Sequence, residues 1–412
     1  MIETLYLINP WWENKKVKTG TKRPKYLNQI KENIKNKLAI ILIGSRRVGK
    51  TFLLYQTIDY LINENGVKPT HILYLLLDHP KFNNISISEI IKEFRKEHQL
   101  GRKEKIFVFC DEVHYSKNWQ QEIKALYDTE NIKIILSGSA SILIGKKASF
   151  LTGRFIKIKI EPLDFKEYLL FKKVKILKSE QYLYQKLLLN YLKEGGYPEY
   201  ILNPNPQYFI DLIESIIYKD IVKFYNIKNP DILNNLFSLL ADRCSHQTTF
   251  SKLSNVLSKD ADTIKNYITY LKECFLIDEN LRYATSRNKI IYSAKKFYLN
   301  DNGVLFNLTS RLNQGAAAER TLFKHLQTKF KKIYFYYENK IETDFFLPKE
   351  KTLIESKFGD NEITQKRLKN LIIVADELNA KYIFVITKNI EKSQKIGNKT
   401  IKFIPLWKWL LE

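Results

Sequence analysis

The stretch LAIILIGSRRVGKTFLLYQTIDYLI, residues 38–62, constrains this chain more than any other. An apolar run of strand length meets Gly44, and a helical pattern starts directly after Gly49. Between them Gly44, Ser45, Arg46, Arg47, Val48, Gly49, Lys50 and Thr51 satisfy the spacing GxxxxGK followed by Ser or Thr. The glycines let the backbone curl so that successive N–H groups face one point, and the helix N-terminus adds positive partial charge there. Phosphate is the group that suits such a loop. Lys50 is placed to reach the β- and γ-phosphates of ATP, and Thr51 to ligate Mg²⁺.

The same stretch commits the fold, because a strand feeding a helix through a tight loop is one unit of a parallel α/β sheet. THILYLLLD (70–78), KIFVFCDE (105–112), IKIILSGSA (132–140) and FIKIKIEPL (155–163) supply further strands between helical segments. The strand in IFVFCDE ends at Asp111 and Glu112. Asp111 can hold the Mg²⁺ shell, and Glu112 can polarise the attacking water as general base, which points to hydrolysis rather than passive binding. The next strand runs into Ser137 and Ser139, one of which could sense the γ-phosphate; Ser137 is counted with the nucleotide site. Arg154 in LTGRF is a candidate arginine finger, in its own subunit or in a neighbour, or else a structural arginine. His114 reads as a core or surface histidine.

The 412 residues carry 68 basic against 44 acidic side chains, a formal net charge of +24. Such a field attracts polyanions, nucleic acid first among them, although an AT-rich coding bias also enriches lysine. DNA is favoured over RNA as the partner, and a homo-oligomer is allowed. The longest apolar runs fall far short of the ~20 residues that span a bilayer, and no basic amphipathic helix stands out. The N-terminus lacks a basic segment followed by an apolar one, so a cytoplasmic location is expected. Cys110, Cys244 and Cys274 show neither a disulfide framework nor zinc spacing.

Residues 164–200 turn helical and end at EGGYPEY, a hinge-like cluster, and LNPNPQ (202–207) marks a boundary. PDILNNLFSLLADRC, TTFSKLSNVLSKD and DADTIKNYITYLKECFLI read as three helices, followed by strand-like FLIDENLRYA and NKIIYSAKKFYLND. Three helices and a hairpin are the order of a winged helix, although a generic small helical domain fits too. Asp260 and Asp262 open the third helix and oppose phosphate contact, while Thr263, Lys265 and Asn266 could still reach a base or the backbone. Arg282, Arg287, Lys289, Lys295 and Lys296 give the wing a basic surface. From 301 a different α/β order follows: helix AAAERTLFKHLQTKF, strands KIYFYYEN, ETDFFL and KTLIESKF, helix EITQKRLKNLIIVADEL and strand KYIFVIT.

ILIGSRRVGKT, FCDEVH and LSGSASIL…LTGRF…EPLDFKEYL together resemble the prokaryotic P-loop ATPases with an AAA-type N-terminal domain. GGYPEYI, YKDIV, KFYLNDNGV and AAAER…ETDFF…LIESK match the C-terminal half usual in that family. The resemblance implies ATP chemistry at Lys50, Thr51, Asp111 and Glu112. It also implies a winged helix joined to a restriction-endonuclease-like domain.

Asp344, ten intervening residues, then Glu355-Ser356-Lys357 fits the D…ExK string of that nuclease type. Such enzymes set two carboxylates on one Mg²⁺ and a lysine beside the attacking water. Period 2 puts Glu355 and Lys357 on one face. A hairpin centred on Lys349-Glu350 sets Asp344 opposite Glu355, and carboxylates that close need a cation between them. Glu319 is the third acidic candidate, as in the family pattern. A solvated charged hairpin is the plainer alternative. The expected plan is an arm (1–35), a P-loop ATPase domain (36–165), a helical lid and linker (166–207), a winged-helix-like domain (208–300) and a nuclease-like α/β domain (301–412). Two functions fit it. One is an Mg²⁺-dependent ATPase whose nucleotide state drives a nucleic-acid-processing module; the other is an ATP-dependent switch whose C-terminal module binds without cutting.

Overall fold

The computed structural model describes residues 1–139, 153–309, 311, 313–359 and 362–412; residues 140–143 of LSGSASIL and 151–152 of LTGRF lie outside this set. Contacts divide the chain into two units, Met1–Glu161 and Pro162–Glu412.

In the first unit the apolar runs form β1 (Ala39–Ile43), β2 (Ile72–Leu76), β3 (Ile106–Asp111), β4 (Ile132–Gly138) and β5 (Phe155–Lys159). Every ladder is parallel and the order is β2-β3-β4-β1-β5. Continuous hydrophobicity suits strands covered on both faces, and every residue of β1, β3 and β4 is buried. Parallel direction collects the C-terminal ends of β1, β3 and β4 on one side, where open α/β sheets bind ligands. Because β4 lies between β1 and β3, Ser137 stands between the glycine loop and Asp111.

The N-terminal arm is built into this unit. Asn9 gives its amide nitrogen to the Tyr74 carbonyl and accepts the Tyr74 N–H, imitating a strand against β2. Trp11 and Trp12 both donate their indole N–H to the Ile72 carbonyl. The exposed edge of β2 is thereby covered, which removes a template for intermolecular pairing. Lys133, buried at the start of β4, binds the carbonyls of Asn33, Asn36 and Leu38 and so holds the end of helix Pro24–Ile34 to the sheet.

The second unit carries one nine-stranded sheet: β6 (Gln247–Thr248), β7 (Ile277–Arg282), β8 (Lys295–Leu299), β9 (Tyr334–Glu338), β10 (Ile341–Leu347), β11 (Thr352–Lys357), β12 (Tyr382–Thr387), β13 (Lys392–Ile396) and β14 (Lys399–Pro405). Its order is β13-β14-β12-β11-β10-β9-β7-β8-β6. The expected division near residue 300 falls within this sheet, where β7 joins β9 through Leu281 with Tyr334 and Arg282 with Phe335. Helices Pro230–Asp242, Phe250–Leu257 and Ala261–Glu273 precede the β7–β8 hairpin.

Three expectations change. Residues Arg287–Tyr292 form a short helix rather than the start of a strand, with Ile291 and Tyr292 exposed. Lys295 and Lys296 are buried and do not belong to a basic wing surface. The β13–β14 hairpin was not foreseen, because KSQKIGNKTIKFIP is lysine-rich; it is a polar outer hairpin turning at Gly397, where φ is +63°.

EGGYPEY is a clamp, not a hinge. The buried Asp301 carboxylate accepts the N–H groups of Gly196 (2.7 Å) and Gly303 (2.7 Å). Gly195 sits at φ +76°, and a Cβ there would fall 2.0 Å from Asp301 Oδ1. Gly195→Ala therefore combines the strain of a positive-φ conformation that essentially only glycine adopts (ψ −157°), ~1–3 kcal/mol, with overpacking of ~1–3 kcal/mol. Gly397→Ala, whose Cβ would meet nothing within 4 Å, should lose only positive-φ strain. Urea melts followed by tryptophan fluorescence should rank the two accordingly; equal losses would mean the Asp301 clamp is not tight.

Candidate functional site

The loop after β1 wraps its own lysine. Lys50 is buried, and its ammonium donates to the carbonyls of Gly44 (3.1 Å) and Ser45 (2.9 Å). A Cβ on Gly44 would stand 2.2 Å from the Ile160 carbonyl oxygen, so only glycine lets the loop pass there. Gly49 (φ +92°) and Arg47 (φ +59°) take the positive dihedrals that close the curl. From the arm, the buried Arg23 donates to the carbonyls of Val48 (2.8 Å) and Glu161 (3.0 Å) and stacks on Tyr26.

Asp111 is 99% buried and surrounded by hydroxyls. Thr51 Oγ1 donates to Oδ2 at 2.6 Å, Tyr74 Oη donates to the same oxygen at 2.9 Å, and Ser137 Oγ donates to Oδ1. Burial, then the Asp111 charge, pushes the Tyr74 phenol up, so it stays a donor. The Thr51 hydroxyl and the Asp111 carboxylate form a hard-oxygen pair at the helix N-terminus, a donor set that fits Mg²⁺.

Glu112 follows in a left-handed conformation (φ +51°, ψ +48°), uncommon for a residue with a Cβ and typical of functional turns. Its N–H donates to Ser137 Oγ (3.1 Å), so Ser137 contacts both acids. The Glu112 carboxylate lies 4.0 Å from Lys50 Nζ and 3.2 Å from His114 Nδ1. Burial, with Arg46 and Lys50 nearby, pushes His114 down to about 3, so it faces Glu112 as a neutral ring at neutral pH. Ser139 is buried as well, but its hydroxyl contacts none of these groups.

Arg154 stands elsewhere. Its carbonyl accepts the Ala39 N–H at the start of β1, and its guanidinium pairs with Asp128 and lies over Tyr127. The glycine loop is at the other end of β1, roughly 16 Å away at about 3.3 Å per residue. That separation sets Arg154 apart from the loop of its own chain.

In the second unit the hairpin register is Phe345 with Ile354, Phe346 with Leu353 and Leu347 with Thr352, leaving Pro348–Lys351 as the turn. Continued by one pair, it sets Asp344 opposite Glu355. The two exchange bonds through side chains: the Asp344 N–H donates to Glu355 Oε2 (3.1 Å), and the Ser356 N–H donates to Asp344 Oδ2 (2.9 Å). Lys357 lies 2.8 Å from Glu355 Oε1 and 3.6 Å from Asp344 Oδ2. Arg367 Nε also donates to Glu355 Oε1 (3.1 Å). Lys296 reaches Asp344 Oδ1 (3.0 Å), Glu319 Oε1 (3.0 Å) and Glu342 Oε1 (2.7 Å).

The charges here are strongly biased. Burial opposes ionisation of Asp344, but Lys296 and Lys357 outweigh it and hold the carboxyl well below the usual range. Burial, then Asp344, pushes Glu319 up to about 7 and raises Glu355. All four oxygens of Asp344 and Glu355 already accept a donor. Among the described residues no group of three or more His, Cys, Asp or Glu side chains is arranged to hold a metal ion. The string fits D…ExK, but its carboxylates as arranged do not fit a divalent cation.

Tyr74, Arg23, Tyr298 and Arg367 carry no role in the sequence reading, and Lys296 is read there only as part of a basic wing. A signal existed for one pair: in AKKFYLN strand period 2 puts Lys296 and Tyr298 on one face, and Tyr298 Oη also donates to Glu319 (2.7 Å). Arg23 and Tyr74 carry no local signal, since their partners lie 25 and 37 residues away.

Residues 36–169 match a family described as an AAA domain, and residues 185–315 match a domain of unknown function, DUF8612. The AAA-domain match covers the five-stranded parallel sheet and the glycine loop of the first unit, and it is this region that is similar to P-loop ATPases. An uncharacterised protein of Haemophilus influenzae is 28% identical over 403 residues, covering 95% of this chain and 98% of that protein. An uncharacterised protein of Methanocaldococcus jannaschii is 28% identical over 409 residues, covering 92% and 89%. Among solved structures, a Walker-type ATPase of Pyrococcus abyssi shares 16% identity at a TM-score of 0.42 over 70% of this chain and 96% of its own. AMPPCP-bound DnaA from Aquifex aeolicus shares 18% at 0.27 over 63% and 90%.

Tyr74→Phe removes one hydroxyl from a buried carboxylate and should cost about 1.5–3 kcal/mol of stability. Urea unfolding checks this, and an unchanged midpoint would show that the Asp111 oxygen is satisfied without it.

Proposed function

We propose that this chain hydrolyses ATP and uses its nucleotide state to control a C-terminal module that engages nucleic acid. The observation that carries the reading is the convergence of Lys50, Thr51, Asp111, Glu112 and Ser137 at one end of the first sheet. The backbone N–H groups of residues 44–51 and the Lys50 ammonium would bind the phosphates. Thr51 and Asp111 would hold Mg²⁺, which supplies charge neutralisation at the β- and γ-phosphates. Glu112 would take a proton from the attacking water, and its left-handed backbone aims it from the end of β3. Ser137, bonded to Asp111 and to the Glu112 N–H, fixes the spacing between the two acids. Arg154, remote from its own loop, is left for a neighbouring copy in an oligomer.

For the C-terminal module the reading is a winged helix joined to a restriction-endonuclease-like sheet. Three helices, the short β6 and the β7–β8 hairpin follow the winged-helix order. In the third helix Asp260 is the N-cap, bonded to the Thr263 N–H and hydroxyl, which leaves Lys265 and Asn266 on the exposed face. A cavity of about 400 Å³ beside Glu342 is lined by Lys340, Lys366, Arg367 and Asn370, a surface suited to a phosphate backbone.

One observation favours the second function over strand cleavage. The carboxylates that a nuclease would place on Mg²⁺ are each taken by a donor of the protein itself. Binding without cutting needs no metal there.

Glu112→Gln should lower ATP turnover by ~10²–10⁴-fold while ATP still binds. Lys50→Ala should abolish binding, and Asp344→Ala should leave turnover intact. A malachite-green phosphate assay with fluorescent-ATP titration separates these outcomes. Turnover undiminished in Glu112→Gln would sink the hydrolysis reading.

A further inference from the structure

Lys296 is 1% exposed, and its ammonium meets three carboxylates contributed by two elements: Glu319 on helix Gln314–Lys329, and Glu342 and Asp344 on β10. An ammonium has three hydrogens, so each can be committed to one acid. β8 and β10 are not neighbours in the sheet; β7 and β9 lie between them. Three ladder spacings amount to roughly 14 Å, more than a lysine can span, so the sheet curls to bring Lys296 onto Asp344. Gln247 on β6 makes the same crossing and donates to Glu342 Oε2 (2.6 Å). Tyr298, two residues on from Lys296, donates to Glu319 from the same face of β8.

The remaining cations complete the set. Lys357 and Arg367 both lie on Glu355, and Lys357 also neighbours Asp344. Four carboxylates thus face three cations of the protein's own. A divalent ion bound to oxygen sits about 2.0–2.6 Å away, whereas Lys296 Nζ already stands 3.0 Å from Asp344 Oδ1. Both cannot occupy that space.

We propose that Lys296 is the resident counter-ion of this cluster, so that the native site takes up no divalent cation and a latent metal site opens only when the ammonium is removed. This goes beyond the ATPase reading and stands whether or not ATP is hydrolysed. The carboxylate pair then serves as an ionic joint between the β7–β8 hairpin and the β10–β11 hairpin. The D…ExK string keeps its residues while the protein supplies the charge that a metal would have brought.

The test counts bound Mn²⁺ by electron paramagnetic resonance on the full chain carrying Asp111→Asn, which disables the nucleotide-site metal. With Lys296 present, no ion should bind up to about 1 mM, the weak end of protein affinity for such cations. Adding Lys296→Met should create one bound ion per chain, which disappears again when Glu355→Gln is added. Two results overturn the proposal: an ion bound by the Lys296 chain and lost with Glu355→Gln, or a folded Lys296→Met chain that binds none. Should Lys296→Met not fold, Lys296→Gln replaces it, and the comparison made with Lys296 in place still decides whether the native site holds metal.

Discussion

A carboxylate buried at the end of a parallel strand has to be solvated by something, and in the first unit that requirement organises its surroundings. Asp111 draws Thr51 from the helix after the glycine loop, Ser137 from β4 and Tyr74 from β2. Three separate segments are thereby brought into register at one edge of the sheet. Were any hydroxyl missing, an acceptor would remain unsatisfied in a low-dielectric interior, which is costly. The strand order serves the same end, because with β4 beside β3 one serine touches both Asp111 and the Glu112 N–H. The cluster that fixes the fold locally also places the groups suited to phosphate chemistry.

Much of the first unit was legible in the sequence, since its signals are local. The spacing of Gly44, Gly49, Lys50 and Thr51, the acidic end of IFVFCDE and three uninterrupted apolar runs each report on the backbone within a few residues. The hairpin arithmetic at Asp344 and Glu355 worked for the same reason: a four-residue turn sets the pairing of both strands. What stayed hidden depends on distant segments. Nothing near Arg23 announces that its guanidinium will cap the Val48 carbonyl. Nothing in KKFYL says that Lys296 will be buried while Arg287 and Lys289 remain in water. Lysine composition predicts surface; only a folded-back sheet with unpaired acids reverses that.

The two units meet a similar problem with different means. Asp111 is satisfied by neutral hydroxyls, which can be exchanged for a cation without leaving a charge stranded. Asp344 is satisfied by ammonium groups, and withdrawing one of those from a buried pair leaves an uncompensated ion. Hydroxyl lining suits a site whose occupant comes and goes. Ammonium lining suits a permanent join. Paired carboxylates of similar appearance in a sequence can therefore serve opposite purposes, and the side chains that decide between them lie outside the motif.

Arg23 spans two carbonyls, that of Val48 inside the glycine loop and that of Glu161, the last residue of the first unit. A guanidinium is planar and stiff, and this one is clamped further by Tyr26 beneath it. The glycine loop and the last residue of the unit are thus two ends of one short strut. The arm before β1 is in mechanical terms a brace within the first unit.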